Sequence, residues 1–305
     1  MSVVVTGANG FIGYHTTKKL LEQGHRVKAV DLNTDKLTRL AMDDKLSTYQ
    51  IDITTPQFAN VLESRDKVLH LAAVAHFVGR KDANNAVHIN VNGTINVLES
   101  CIKKDAERLV YSSTGSVYSR GVEVPIREDA KLGPSDDNYY GWSKLQAEQW
   151  IRIYQRFMPH VILRYAYVYG PEKDWGAIGA FLKTLATHAS PVVFGGNQTN
   201  DFVYVQDAVQ ANIAALETTY TNQTFNIGTG RATSIRDACD YCIEAMDSPI
   251  QATYEPARSF DYPVFVYDIS KANTLLHYAP KWNLLHGIQD MVTQNAKHLP
   301  TLQHS

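Results

Sequence analysis

Apolar residues fall into two rhythms along this chain, short unbroken runs and longer stretches at helical spacing, and the two alternate from the first residues onward. The run at 3–5 predicts a buried strand, and a helix follows it to about Gln23, closed by Gly24. Residues 26–30 read as the second strand, with Asp31 at its end. Further strands are expected at 47–52, 67–73, 108–114 and from Val161 to the Gly170-Pro171 break. Between them lie a short helix at 56–63, a long one at 84–104 and another at 139–157. Strands separated by helical patterns make a parallel, doubly wound α/β sheet. Such sheets bind ligands beyond the carboxyl ends of their strands, where Gly7, Asp31, Ala72, Thr114 and Tyr165 all fall.

Past Pro171 the order loosens. A helix at 177–188 and a strand at 191–194 lead to a strand at 201–205 and a helix at 206–217, which are expected to return to the sheet. Residues 224–228, a helix at 234–246 and a strand at 250–255 are expected to build a smaller C-terminal α/β lobe, with a terminal helical segment after Lys271. The expected division is a nucleotide-binding domain at 1–170, joined again by 198–220, and a substrate lobe at 171–197 and 221–305.

Composition narrows the function without choosing it. The chain is 44% hydrophobic and 20% charged, with a formal net charge of -2, which gives no electrostatic case for nucleic acid or an anionic membrane. No apolar run approaches the roughly 20 residues that span a bilayer. The N-terminus enters the first strand at once, and three cysteines make no disulfide framework, so a cytoplasmic location is expected. Cys239 and Cys242 form a lone C-x-x-C on a helical pattern without two further ligands nearby, so they read as packed core and no metal site is expected.

Two motifs carry chemistry. Gly7, Gly10 and Gly13, spaced G-x-x-G-x-x-G between the first strand and helix, allow a sharp turn, close approach of a pyrophosphate, and tight packing of helix on strand. Asp31 at the end of the second strand can accept both ribose hydroxyls of an adenosine and would repel a 2′-phosphate, so NAD is expected rather than NADP. Tyr140 and Lys144 stand four apart in a helical run and share a face. A phenol near pKa 10 is a poor base at neutral pH, and a neighbouring cation favours its phenolate. Parallel topology brings Thr114 and Tyr140 to one crevice.

These residues, with His70–Ala73, Asn90-Val-Asn-Gly-Thr94, Ser112–Tyr118, Leu163–Pro171, Asp201–Val205, Phe225–Gly230 and Asp268–Ala272, resemble the extended short-chain dehydrogenase/reductases. Within them the chain is most similar to the NAD-dependent epimerase/dehydratase group, UDP-glucose 4-epimerase-like proteins especially, over about nine tenths of its length. The resemblance implies a Rossmann sheet whose Gly7, Asn9, Gly10, Phe11, Ile12 and Gly13 cradle the NAD pyrophosphate. Asp31 would bind the ribose, Asp52 and Ile53 would border the adenine, Leu71, Ala72, Ala73 and Asn90 would line the channel, and Tyr165 would lie near the nicotinamide. Thr114, Tyr140 and Lys144 match the catalytic trio, and the helices at 84–104 and 139–157 match those that pair two subunits, implying a homodimer through a four-helix bundle. The implied reaction is 4-epimerisation of a nucleotide-diphosphate sugar of the UDP-hexose type.

Family 4,6-dehydratases follow the catalytic Thr with Asp-Glu, and Gly115-Ser116 stand here, which argues against dehydration. Three departures touch the substrate: Tyr167 replaces a common Asn, Asn200 replaces a common Arg, and Phe260 replaces the Gly of Arg-x-Gly-Asp at Arg258–Asp261. These departures keep open a net NAD-dependent alcohol dehydrogenase of the 3β-hydroxysteroid dehydrogenase-like branch, beside a non-catalytic NAD-sensing protein. Tyr140, Thr114, Tyr167, Asn200, Arg258 and His76 are the candidate substrate contacts, while His70, inside a strand, reads as structural.

Overall fold

The computed structural model describes residues 2–40, 44–74, 82–258 and 263–298. Its frame is a seven-stranded, wholly parallel sheet of β1 (Val3–Thr6), β2 (Val27–Asp31), β3 (Leu46–Gln50), β4 (Lys67–His70), β5 (Arg108–Thr114), β6 (His160–Tyr165) and β10 (Gln223–Ile227). Across the sheet the strands run β10-β6-β5-β4-β1-β2-β3, so the order reverses between β1 and β4 and opens a crevice at their carboxyl ends. Alternation within each strand decides which layer it serves. Val3 and Val5 face α1 (Phe11–Glu22) with its Leu20 and Leu21, while Val4, Val68 and Leu109 face α2 (Gly93–Lys103) and α3 (Tyr139–Ile153) with Val97, Leu98 and Ala147. β7 (Tyr167–Tyr169) continues the line of β6 past Ala166.

The expected helix at 84–104 is present but not uniform: a turn at Ala83–Ala86 and a π-helical stretch at Val87–Asn92 precede α2. Within the wide turn the Asn90 carbonyl accepts the Thr94 hydroxyl at 2.7 Å, and the Asn90 side chain is spent on Val74 and Ser143.

Two strands are placed otherwise than expected. Residues 201–205 do not return to the parallel sheet: β9 (Thr199–Tyr204) pairs in parallel with β7 and antiparallel with β11 (Ala232–Ser234) in a separate three-stranded sheet. Residues 224–228 belong not to the second lobe but to β10, at the edge of the large sheet beside β6. The reason is tertiary. Asn226, a poor strand residue by propensity, is fully buried there, donating to the Ile126 carbonyl at 2.8 Å and accepting from the Tyr118 hydroxyl at 2.7 Å. The helix between them, α5 (Val205–Glu217), does return, packing on α1 against the large sheet.

The remaining elements are α4 (Gly176–Ala186), the pair β8 (Val192–Phe194) and β12 (Thr253–Glu255), α6 (Ile235–Ala245), α7 (Ser270–Leu276) and α8 (Leu284–His298). Cys239 and Cys242 are fully buried on α6 in the core, with free thiols pushed up by burial. No helix of the described residues is long and apolar enough to cross a membrane.

Candidate active site

The turn from β1 into α1 meets the end of β4 at the reversal point, and glycine is required there by space. Gly7 sits at φ 69, where a Cβ would come within 2.7 Å of the Ala72 nitrogen. At Gly13 a Cβ would lie 2.0 Å from the Gly7 carbonyl oxygen. Gly10 is less confined, with 3.1 Å to the same oxygen, and it faces a groove. That groove, about 340 Å³, is lined by Gly7, Asn9, Gly10, Asp31, Asp52, Ile53, Leu71, Ala72 and Ala73, all expected, and by Val30, Leu32, Ile51, Val74 and Ile89, which were not. Val30 lies in β2 and Ile89 in the π-helical stretch, while Leu32, Ile51 and Val74 lie in the chain just past strand ends, and their facing depends on tertiary contact. The α1 N-terminus opens at Gly10 with no acidic residue in its first turn, which leaves its N–H groups and dipole for an anion. The Asn9 N–H donates to Asp31 Oδ2 at 2.9 Å, fixing one carboxylate oxygen at the groove wall. A cradle without room for a Cβ, a helix N-terminus and a held carboxylate together fit a dinucleotide.

Four expected cofactor contacts lie behind this surface. Gly13 is packed under the turn, and Phe11 and Ile12 pack on the core, Phe11 with its ring against His15. Asn90, expected in the channel, is buried and braces it, accepting from the Val74 N–H at 2.9 Å and donating to Ser143 Oγ at 2.9 Å. His70 is structural: its Nδ1 lies 2.7 Å from Thr6 Oγ1 and its Nε2 3.0 Å from Thr94 Oγ1, and burial lowers its pKa to about 3, so it stays neutral.

Thr114 and Tyr140 meet at the next strand end. Asn138 caps α3 by accepting the Gly141 N–H at 2.9 Å. A Cβ on Gly141 would come 2.6 Å from the Ser116 carbonyl oxygen, so this glycine lets α3 close onto the Thr114–Ser116 turn. Tyr140 meets the Thr114 hydroxyl there in a hydrogen bond. Lys144, one turn on and 1% exposed, holds its Nζ 4.4 Å from the centre of the Tyr111 ring. The expected lowering of Tyr140 by Lys144 is not what the protein's own groups produce. Burial raises the Tyr140 phenol to about 12, with Thr114 acting against it, and burial lowers Lys144 to about 7, with Glu148 acting against it. At both groups desolvation outweighs these partners.

Behind Lys144, Glu148 is fully buried and held by four hydrogen bonds from three residues: Ser113 Oγ at 2.5 Å, Arg164 at 3.0 and 2.6 Å, and Arg152 at 3.3 Å. Arg164 donates further to the Tyr118 hydroxyl at 2.9 Å and the Glu128 carbonyl at 3.0 Å. Burial pushes the Glu148 carboxyl up, but the guanidinium of Arg164 holds it below the usual range.

A second cavity, about 180 Å³, opens beside Thr114 and is lined by Gly115, Ser116, Tyr165, Ala166, Tyr167, Asn200 and Phe265. Thr114, Tyr167 and Asn200 were expected there, whereas Phe265 carries no local signal. The Tyr167 hydroxyl accepts the Ala177 N–H at 2.6 Å, so this tyrosine caps α4 while its ring walls the cavity. Tyr165 lines the cavity and sends its hydroxyl to Asn212 in the core. A Cβ on Gly115 would lie 2.3 Å from the Phe265 ring and 2.6 Å from the Tyr267 hydroxyl, so the carboxylate of a dehydratase has no room at that position. Arg258 lies apart from this cavity, its guanidinium 4.7 Å over the Phe194 ring. His76, Phe260 and Asp261 fall outside the described residues.

Residues 3–228 match the family model described as NAD dependent epimerase/dehydratase family. A putative UDP-glucose 4-epimerase of Methanocaldococcus jannaschii is 33% identical over 95% of this chain and 97% of its own length. Among solved structures, UDP-glucose 4-epimerase of Thermotoga maritima with UDP-glucose superposes with a TM-score of 0.91 at 30% identity, over 98% of this chain and 100% of that one. UDP-glucuronic acid 4-epimerase of Bacillus cereus, in complex with UDP-glucuronic acid and NAD, gives 0.87 at 29% identity over 97% and 100%.

Proposed function

The chain belongs to the NAD-dependent epimerase/dehydratase family, and from that premise we propose that it is an NAD-dependent nucleotide-sugar 4-epimerase of the UDP-hexose type. The observation that carries this reading is that Thr114, which interacts with Tyr140, lines a cavity of about 180 Å³ at the end of β5, while the glycine turn, Asp31 and Ala72 line a groove of about 340 Å³ at the neighbouring strand ends. Relatives acting on UDP-glucose and UDP-glucuronic acid cover nearly the whole chain on both sides, which supports the substrate class.

Gly7, Asn9 and Gly10 with the α1 N-terminus would hold the NAD pyrophosphate, Asp31 the adenosine ribose, and Asp52 with Ile53 the adenine. When bound, NAD supplies the hydride acceptor and a positive ring that favours the Tyr140 phenolate. Tyr140 takes the proton of the C4 hydroxyl as the C4 hydrogen leaves, and Thr114 holds the reacting oxygen. The ketone then presents its other face, receives the hydrogen back, and regains the proton from Tyr140. Lys144, one turn on in α3 with its Nζ over the Tyr111 ring, completes the proposed trio. Gly115, closed in by Phe265 and Tyr267, supports epimerisation over dehydration.

Three finer readings go with it. The large sheet with its helices serves as the NAD domain and the 171–197 and 229–298 segments as the substrate lobe. The exposed aromatic stripe on α3, Tyr139, Trp142 and Trp150 with Ile153, supports a homodimer through a helix bundle. Three buried, free cysteines support a reducing, cytoplasmic setting.

The test is incubation of the purified protein and NAD with UDP-, GDP- and dTDP-hexoses, reading product stereochemistry by NMR and nicotinamide absorbance in parallel. A 4-epimer without net NADH is the expected result. No epimer from any of them would sink the reading, and NADH accumulating from a simple alcohol would establish a dehydrogenase instead.

A further inference from the structure

The adenosine end of the groove has two basic side chains close by that the groove does not use. Lys36 and Arg39 lie on the 3-10 segment Asp35–Leu40 after β2. The Lys36 N–H donates to Asn9 Oδ1 at 2.9 Å, and the Asn9 N–H donates to Asp31 Oδ2 at 2.9 Å. One side chain therefore separates the Lys36 backbone from the carboxylate that faces the ribose. Neither Lys36 nor Arg39 lines the groove. Their charged ends turn instead to Glu172, Lys36 Nζ to Oε2 at 2.7 Å and Arg39 Nη1 to Oε1 at 2.8 Å. The Lys36 ammonium also lies 4.3 Å from the centre of the Tyr14 ring.

Glu172 reaches these cations from the turn after β7, on a different part of the chain. It sits at φ 64, a left-handed conformation that a glutamate adopts only at a cost. Its N–H donates to Asn295 of α8 at 3.2 Å, and its side chain and that of Lys36 are 23% and 18% exposed. The pair is thus partly desolvated and tethered at both ends, unlike a solvated surface pair. Burial raises the Glu172 carboxyl, but the hydrogen bond and charge of Lys36, then Arg39 and His15, keep it below its ordinary range. A single carboxylate occupies both cations.

A 2′-phosphate carries close to two negative charges, and its recognition needs a cation that can point at the ribose. We propose that Glu172 is a specificity-determining residue for the dinucleotide, holding Lys36 and Arg39 away from the adenosine ribose so that a 2′-phosphate meets Asp31 with no compensating charge. Exclusion of NADP then has two parts that act together, repulsion by Asp31 and sequestration of the nearby cations by Glu172. The inference rests on the groove being the dinucleotide site, and it concerns a residue outside that groove.

The test is calorimetric titration of NAD and NADP into the full-length wild type and the Asp31→Asn, Glu172→Gln, double, and Asp31→Asn/Glu172→Gln/Lys36→Met variants, with thermal melts as a folding control. Asp31→Asn alone is expected to gain little NADP affinity. Adding Glu172→Gln should improve NADP binding by a further tenfold or so, one charge-assisted contact, without a matching gain for NAD. Lys36→Met should then remove much of that gain, and added salt should shrink it. If Glu172→Gln adds nothing for NADP in the Asp31→Asn background, or moves both dinucleotides equally, Glu172 is only a tether between chain segments and the proposal is overturned. A wild type that binds neither dinucleotide would overturn the groove's assignment itself, and this proposal with it.

Discussion

Tyr140 and Lys144 show how burial reshapes a motif. In water a lysine one helical turn away would simply lower a phenol, yet here desolvation takes Tyr140 to about 12 and Lys144 to about 7. An added positive charge beside Tyr140, which the proposed NAD would bring, would favour the phenolate against that burial. Tyr140→Phe keeps the ring and removes the proton acceptor. It should lower kcat by about 10²–10⁴-fold, the usual share of a general base, while NAD still binds in a calorimetric titration. Epimerisation at an undiminished rate would remove Tyr140 from the mechanism. His70 makes the contrasting case, since the same burial leaves a neutral imidazole shared between Thr6 and Thr94, with no path to the reacting atoms.

At the scale of elements, α3 is held in place by chemistry its own periodicity does not show. Glu148 and Arg164 are both essentially unexposed, and their bidentate pair joins α3 to β6 one turn behind Lys144. Removing one partner strands a buried charge, which costs about 3–5 kcal/mol, whereas replacing both by apolar side chains of similar size is close to neutral. Arg164→Met should therefore lower stability in urea by about that amount, and Arg164→Met with Glu148→Leu should restore most of it. Equal losses in the single and double variants would show that the pair is not the joint. The same contrast explains what the sequence could tell. Local signals placed β1, the glycine turn, β5 and the start of α3, because each is set by residues adjacent in the chain. They misassigned β9 and β10, whose sheet membership depends on strands that are not their chain neighbours, β7 and β11 for β9 and β6 for β10, with Asn226 further held by Tyr118. Phe265 and the Glu172 clasp escaped for the same reason.

For the whole molecule, two sets of side chains report on assembly and acid stability. His15, His70 and His160 are buried, with pKa values lowered by desolvation to about 4, 3 and 4. Unfolding restores their ordinary values, so below pH 6.5 the unfolded chain binds more protons and stability falls as pH drops toward 4. Each contributes about 2 kcal/mol of loss by pH 5. His160→Gln should shrink the difference between urea stabilities at pH 7 and pH 5 by that amount, and an unchanged difference would count against a neutral buried imidazole. The second set lies on α3 and the turn after it, where Tyr139, Trp142, Trp150, Ile153 and Phe157 are 38–70% exposed. The spacing of Tyr139, Trp142, Trp150 and Ile153 places them within one stripe of α3, and Phe157 follows in the turn beyond its end, so the exposure forms a seam rather than scattered apolar residues. A seam of large aromatics at this density is expensive in water and suited to a two-fold partner presenting the same face. Trp150→Lys with Ile153→Glu should therefore shift the protein from dimer to monomer in sedimentation velocity, with the glycine turn and its NAD binding preserved because they lie on β1 and α1. A wild type that sediments as a monomer at high concentration would show that the seam is covered by something other than a second copy.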